Sequence, residues 1–155
     1  MPDLFTGVPL GPGKHPFGDR HALVVHALAI EPSPHIRAIL EDFEQAGGQF
    51  VRREFKTRDD IALLSERVVF NCSGLGSREL ANDNELIPMK GQLTVLQPQP
   101  EINYMIAVPR KRLYMIPRSD GIVLGTSQVR GNWSLEPDKA EVTRVIEGMK
   151  VLRRS

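Results

Sequence analysis

Two closely spaced glycines follow an apolar run in residues 68–83, which read VVFNCSGLGSRELAND. A strand that ends in a glycine-rich turn and continues as a helix often presents backbone N–H groups to a phosphate. Gly74 and Gly76 match the first two glycines of the dinucleotide-binding pattern, but Glu79 stands where the third would be. The same spacing also suits a plain tight turn, with Cys72 as a small buried side chain. The motif alone therefore indicates at most a secondary nucleotide contact.

The other reactive side chains form no local signature for nucleophilic or metal chemistry. The four histidines are not paired with a serine or cysteine in any known signature, which argues against a hydrolase. Cys72 is the single cysteine, so no internal disulfide can form and no metal site is expected. Tyr114, in LYMIP, either lies half-buried at a strand rim or offers its hydroxyl to an acidic ligand group in a pocket.

The composition is that of an ordinary globular protein. Of 155 residues, 41% are hydrophobic and 25% are charged, and the formal net charge is +1. Such a balance gives no field that attracts nucleic acid or an anionic membrane, so neither is expected as a partner. The longest apolar stretch, ALVVHALAI, is too short to cross a bilayer, and no signal-peptide pattern opens the sequence. We therefore expect a cytoplasmic location.

The first half of the chain reads as a loop followed by strands and helices. Residues 1–21 contain several glycines and prolines without a hydrophobic period, which predicts a lead-in loop. Runs rich in β-branched and aromatic residues follow, and these favour strands. A short helical segment lies between them. The predicted strands are residues 22–31, 49–55 and 67–71, and the short helix covers residues 58–64.

The clearest helical pattern covers residues 32–48. Ser33 is the predicted cap, Pro34 suits the first turn, and Gly47-Gly48 ends the helix. Apolar side chains recur every three or four positions, so we expect them to form one buried stripe. The residues of this stripe are Ile36, Ile39, Leu40 and Phe43.

The second half consists of short strands separated by turn residues. The predicted strands are residues 90–97, 103–108, 113–117 and 121–129. The last two are joined at Ser119, Asp120 and Gly121, and the series is predicted to form an antiparallel meander. Pro137 opens a final helix with its own apolar stripe, formed by Val142, Val145, Ile146 and Met149. The predicted fold class is α+β.

Two blocks of sequence together resemble the flavoprotein amino-acid oxidases, the D-amino-acid oxidase and glycine oxidase family. Residues 68–96 are similar to that family's asparagine-cysteine-threonine-glycine strand end, which a proline and a glycine-glutamine pair follow, here Gly91-Gln92. Residues 113–134 are similar to its tyrosine-x-x-proline strand and to its glycine-asparagine-tryptophan turn, here Gly131-Asn132-Trp133. Several motifs in the right order are more specific than any one of them. The resemblance spans roughly residues 23–151.

This resemblance implies a fragment of a two-domain flavoprotein. Residues 22–88 would form part of an FAD-binding domain, with a helix and a strand end that faces the cofactor. Residues 89–155 would form the antiparallel strands of the substrate domain and the C-terminal helix. The implied reaction is oxidative deamination of a D-amino acid, with hydride transfer from the substrate α-carbon to FAD and oxygen as the acceptor.

The resemblance also implies the roles of individual residues. It places Ser73 and Gly74 beside FAD, at the end of the apolar run. It makes Gly91 and Gln92 further cofactor-binding residues on the first strand of the sheet. Tyr114 would lie over the flavin, where the family's tyrosine hydroxyl binds the substrate carboxylate.

Some parts of the family pattern have no counterpart in the sequence. No Gly-x-Gly-x-x-Gly turn opens the chain, and the arginine with which the family holds the carboxylate falls beyond Ser155. Arg110 stands where relatives often carry a second tyrosine. We therefore expect an interior segment of an oxidase, with a homodimer as a candidate assembly, and the sequence leaves open whether this chain alone is an enzyme. The alternative is a non-catalytic remnant or partner-binding domain that keeps the fold without a cofactor.

Overall fold

The computed structural model describes residues 6–154 as a mixture of helices and short strands. The strands are β1 (Val8–Leu10), β2 (Ala22–Val24), β3 (Met89–Lys90), β4 (Thr94–Leu96), β5 (Ile106–Val108), β6 (Leu113–Arg118), β7 (Gly121–Gly125) and β8 (Val129–Arg130). The helices are α1 (Pro32–Gln45), α2 (Arg58–Ala62), α3 (Ser77–Ala81) and α4 (Lys139–Arg154). Short 3₁₀ turns lie at Gly74–Gly76 and Pro109–Lys111. Helices beside antiparallel strands agree with the predicted α+β class.

A four-stranded antiparallel sheet forms the centre of the second half, with the strand order β4-β7-β6-β5. β6 and β7 pair from Tyr114 opposite Gly125 to Arg118 opposite Gly121, which confirms the predicted hairpin. The predicted meander is right for β5, β6 and β7 but wrong for β4. That strand pairs with β7 instead of β5, so the connection from β4 to β5 runs from one edge of the sheet to the other.

The hydrophobic core lies between this sheet and α4. Its buried side chains come from β6, β7 and α4: Leu113, Met115, Ile122, Leu124, Val145 and Leu152. The predicted stripe of α4 faces the core, since Val145 is buried and Ile146 and Met149 pack beside it. The helix begins two residues after Pro137 because the Asp138 carboxylate accepts a hydrogen bond from the Ala140 backbone N–H at 2.8 Å. Pairing with β4 and β5 and packing against α4 together hold β6 and β7 in place.

The first half of the chain forms less sheet than its sequence predicts. The predicted strand at residues 22–31 is reduced to β2, which pairs antiparallel with β1. β1 lies inside the segment predicted to be a lead-in, where Val8–Leu10 is extended. The predictions of strands at residues 49–55 and 67–71 are wrong. Phe70 is 85% exposed, because the described residues offer this segment no sheet to join.

Both predicted helices of the first half form, but α1 buries none of its residues. Glu31 precedes α1 without a side-chain cap, so the predicted cap at Ser33 is wrong. Gly47 follows the helix with a φ of +86°, as the predicted end requires. The predicted burial of the stripe is wrong, because its members remain between 43% and 52% exposed: Ile36, Ile39, Leu40 and Phe43. A helical period shows which face of a helix is apolar. No described part of the chain packs against that face of α1 closely enough to bury it.

Candidate functional site

A cavity of about 380 Å³ brings three of the sequence-predicted site residues together. Tyr114, Gly91 and Gln92 all line it. The rest of its wall comes from residues near β3 and from the end of β7: Met89, Leu93, Thr126, Ser127 and Gln128. The volume falls within the usual range of small-molecule sites. We therefore treat this cavity as the candidate functional site and refer to it below as the Tyr114 cavity.

The position of Tyr114 depends on both neighbouring strands. It lies opposite Ala107 of β5 and Gly125 of β7. Because side chains alternate along a strand, Tyr114 projects from the face opposite the one that carries Leu113 and Met115 to the core. Its ring lies over Gly125, where an ideal Cβ would be 2.6 Å from the Tyr114 hydroxyl oxygen. A residue larger than glycine at this position would displace the ring.

Tyr114 also borders a larger open groove of about 1320 Å³. One wall of this groove is formed by residues 22–27, and the other includes Ile116 and Arg118 of β6. The Glu31 carboxylate holds the two walls together at one end, because it accepts hydrogen bonds from the backbone N–H of Ser119 at 3.2 Å and from its hydroxyl. Tyr114 thus lines both the cavity and the groove.

Thr126 follows β7 and carries a buried polar atom without a partner. Its Oγ1 is the single buried side-chain nitrogen or oxygen without a hydrogen bond in the described part of the chain. The backbone of the same residue is held on both sides. Its N–H donates to the Arg112 carbonyl at 3.1 Å, and its carbonyl accepts from Arg144 Nη2 at 2.7 Å. The Glu141 carboxylate in turn holds Arg144 at 3.0 Å, so α4 fixes this edge of the cavity.

Gln92 lines the cavity while its side-chain amide binds the start of α4. Its Oε1 accepts from the Asp138 backbone N–H at 2.7 Å, and its Nε2 donates to the Asp138 carbonyl at 3.0 Å. The amide therefore ties the segment between β3 and β4 to the helix. At Gly91, an added Cβ would lie 3.7 Å from the Ser127 carbonyl oxygen, an ordinary contact distance. The roles of Gly91 and Gln92 toward FAD stay predictions.

Ser73 and Gly74 do not line the Tyr114 cavity. The Ser73 hydroxyl donates to Asn71 Oδ1 at 2.7 Å and lies 2.8 Å from the Ser77 hydroxyl. Gly74 has a φ of +55°, and an added Cβ there would meet nothing within 4 Å. Glycine is therefore favoured at this turn because of its backbone conformation, and not because neighbouring atoms leave no room for a side chain. A 3₁₀ turn forms at the two glycines and α3 follows it, whereas contact of these residues with FAD stays a prediction.

The hairpin beside the groove carries a charged pair. Arg118 donates two hydrogen bonds to the Asp120 carboxylate. These bonds hold the pKa of Asp120 below its ordinary value of 3.8 and raise the pKa of Arg118. The pair therefore stays ionised at neutral pH, so this end of the sheet carries one positive and one negative side chain.

Sequence reasoning missed Thr126 and Arg144. Thr126 falls inside a predicted strand, where threonine is common. It stands out because its buried Oγ1 has no hydrogen-bond partner among the described residues. Arg144 lies on the polar face of a predicted helix, where arginine is also ordinary. The one available signal was the position of Thr126 directly after Gly125, in a strand that the family resemblance had already singled out.

Within residues 6–154, no helix combines the length and the apolar character that crossing a bilayer requires. The same residues contain no group of three or more histidine, cysteine, aspartate or glutamate side chains placed to hold a metal ion.

Comparison with known proteins gives a consistent set of relatives. A family model described as FAD dependent oxidoreductase matches residues 8–152. A D-amino acid oxidase of Dugesia ryukyuensis is 34% identical over 114 residues, which cover 72% of this chain and 33% of that protein. A D-amino-acid oxidase of Rubrobacter xylanophilus is 33% identical over 124 residues, which cover 79% of this chain and 38% of that protein. Human D-aspartate oxidase is 39% identical over 79 residues, 51% of this chain and 23% of that protein. The chain thus spans well under half the length of the curated relatives it matches.

Proposed function

Because the chain belongs to the FAD-dependent oxidoreductase family, we propose that it forms the substrate side of an enzyme that oxidises D-amino acids. The names of its relatives, which are D-amino-acid and D-aspartate oxidases, support this substrate class. One structural observation carries the proposal. Tyr114, the residue to which the resemblance assigns the substrate carboxylate, lines the same cavity as Gly91 and Gln92, which it assigns to the cofactor.

The residues around the cavity fit a flavin and a small substrate. The cavity has the size of a small-molecule site, and it contains a polar side chain, Thr126, whose hydroxyl lacks a partner. When bound, FAD supplies the hydride acceptor for oxidation of the substrate α-carbon. The proposed cofactor contacts are Gly91 and Gln92 at the cavity, and Ser73 and Gly74 at the turn before α3.

The part of this chain in the reaction is to bind and orient the amino acid. The Tyr114 hydroxyl donates a hydrogen bond to the substrate carboxylate, which fixes one end of the substrate. Pairing of β6 with β5 and β7 holds the tyrosine in place, so little ordering of this side chain is needed when the substrate binds. In the proposed two-domain arrangement, residues 89–155 form the substrate side and residues 22–88 belong to the FAD-binding domain.

The main contacts to the FAD pyrophosphate are proposed to come from sequence outside this chain. The chain contains no complete Gly-x-Gly-x-x-Gly turn, which is the usual source of backbone donors for a pyrophosphate. The 155-residue chain alone should therefore bind FAD weakly or not at all. A titration with FAD that follows flavin fluorescence measures this affinity. Saturation at micromolar FAD would contradict this part of the proposal.

The function is tested with the product of the complete reading frame. The purified protein should show flavin absorbance and should take up oxygen with at least one member of a panel of D-amino acids. The L-enantiomers of the same panel serve as controls and should give no uptake. A protein that binds no FAD, or that oxidises only L-amino acids, would overturn the proposed function.

A further inference from the structure

The unpartnered hydroxyl of Thr126 needs a physical explanation. Less than 1 Å² of its Oγ1 is accessible to solvent, and no described group donates to it or accepts from it. A buried polar atom without a partner destabilises a folded protein, so native structures nearly always pair such atoms with protein, water or a ligand. Solvent hardly reaches the oxygen in this orientation. Its partner is therefore either a water molecule held in the cavity or a bound ligand.

The Tyr114 cavity is where that partner can bind, because Thr126 and Tyr114 both line it. The two peptide groups of Thr126 are fixed by Arg112 and Arg144, so its backbone does not need to move. Rotation about χ1 exchanges the staggered positions of the hydroxyl and the methyl group. A single change of rotamer can therefore turn the hydroxyl toward a ligand in the cavity.

We propose that Thr126 is a second ligand-contacting residue of the cavity, whose hydroxyl donates to the same substrate carboxylate as that of Tyr114. This inference rests on the proposed function and adds a residue that the family resemblance does not assign.

The surroundings of the cavity favour an anionic group at this point. None of the residues that line it carries a carboxylate that would repel one. Arg144 donates to the Thr126 carbonyl oxygen at 2.7 Å and pairs with the Glu141 carboxylate at 3.0 Å, so the charges behind Thr126 are balanced. Two hydroxyl donors in a cavity without carboxylates are suited to a carboxylate. The acidic end of an amino acid thus fits this place better than its ammonium group.

The test compares four variants in the product of the complete reading frame, one of which, Tyr114→Phe, reports on the proposed function. Thr126→Val keeps the shape of the side chain and removes the hydroxyl, whereas Thr126→Ser keeps the hydroxyl. Thr143→Val is the matched control, because Thr143 lies on the exposed face of α4 and its hydroxyl donates to the Lys139 carbonyl at 3.0 Å. The measured quantities are the KM for the preferred D-amino acid and the melting temperature of each variant without ligand.

A hydrogen bond to a charged group corresponds to about a tenfold to a hundredfold change in affinity, which is the expected rise in KM for Thr126→Val. Thr126→Ser should stay close to the unaltered protein, and Thr143→Val should leave KM unchanged. Without ligand, Thr126→Val should melt at the same temperature as the unaltered protein or higher, because an unpaired buried oxygen has been removed. A ligand contact therefore predicts weaker binding without loss of stability.

Two results would overturn the inference alone. The first is an unchanged KM in Thr126→Val when Tyr114→Phe raises it, which leaves the proposed function in place. The second is a lower melting temperature of Thr126→Val at unchanged KM, which would show that the hydroxyl has a structural partner. If the unaltered protein oxidises no amino acid, the proposed function fails and this inference fails with it.

Discussion

The ring of Tyr114 lies directly over Gly125 on the neighbouring strand, with its hydroxyl oxygen 2.6 Å from the position that a Cβ would occupy. The register of β6 and β7 sets the two residues opposite each other, and the missing side chain of the glycine makes room for the ring. The position of the Tyr114 hydroxyl therefore depends on a residue that has no side chain.

Substitution of Gly125 by alanine should displace Tyr114. The new methyl group would overlap the ring, and overpacking of this kind typically costs about 1 to 3 kcal/mol. We expect the 155-residue chain to show a lower free energy of unfolding in a urea titration. Gly11→Ala is the control, because an added Cβ there meets nothing within 4 Å. Equal stabilities of the two variants would mean that the ring does not lie against Gly125.

Arg144 should contribute more to stability than a charged residue that contacts only its own helix. Its guanidinium donates to the Thr126 carbonyl, and loss of this bond in Arg144→Ala should cost about 1 to 2 kcal/mol, reduced from a fully buried value because the side chain is partly exposed. Lys150→Ala is the matched control, because among the described residues Lys150 pairs with Glu147 alone, one turn away in the same helix. Its cost should be about 0.5 kcal/mol or less. Urea unfolding of both variants measures the difference, and similar losses would contradict the role of Arg144 at the cavity edge.

The pair of Arg118 and Asp120 should make the hairpin sensitive to acid. Hydrogen bonds from Arg118 lower the pKa of Asp120 below 3.8 in the folded chain. A lowered pKa stabilises the folded state above the unfolded pKa, and this stabilisation is lost as the pH falls through the folded pKa. Between about pH 5 and pH 2, the melting temperature of the unaltered chain should therefore fall more steeply than that of Asp120→Asn. Arg118→Gln should give the same shallow slope, and a slope as steep as that of the unaltered chain in either variant would contradict this.

The two halves of the chain should differ in their ability to fold alone. Within residues 6–154, the buried hydrophobic side chains of the core all come from residues 113–152. A chain of residues 89–155 should therefore melt in a cooperative transition, whereas a chain of residues 1–88 should not, because α1 buries no side chain. Circular dichroism during heating measures both. A cooperative transition in residues 1–88 would show that this half has a core of its own.

Local features of the fold could be predicted from the sequence, because they depend on residues near one another in the chain. The hairpin between β6 and β7 follows from its turn residues, and α4 follows from an apolar period that Val145 and Ile146 carry into the core. The end of α1 follows from Gly47, whose positive φ few other residues adopt readily. In each case the deciding interaction lies within a few residues.

Features that need a distant partner could not be predicted. The apolar segment at residues 67–71 has the composition of a buried strand, yet no strand forms, because pairing depends on neighbours elsewhere. The place of β4 beside β7 depends on a long connection and not on its own residues. At the cavity, the family resemblance indicated Tyr114, Gly91 and Gln92, whereas the importance of Thr126 depends on which groups surround a single oxygen.

The central claim is that the Tyr114 hydroxyl binds the carboxylate of a D-amino acid, and the KM of Tyr114→Phe tests it most directly. The substitution keeps the ring over Gly125 and removes one donor, so the melting temperature and the flavin spectrum should hardly change. Loss of a hydrogen bond to a charged group, worth about 1.5 to 3 kcal/mol, predicts a KM about tenfold to a hundredfold higher in oxygen-uptake assays on the complete reading-frame product. Unaltered KM and kcat across the whole D-amino-acid panel would show that Tyr114 only supports the sheet, and would contradict the account.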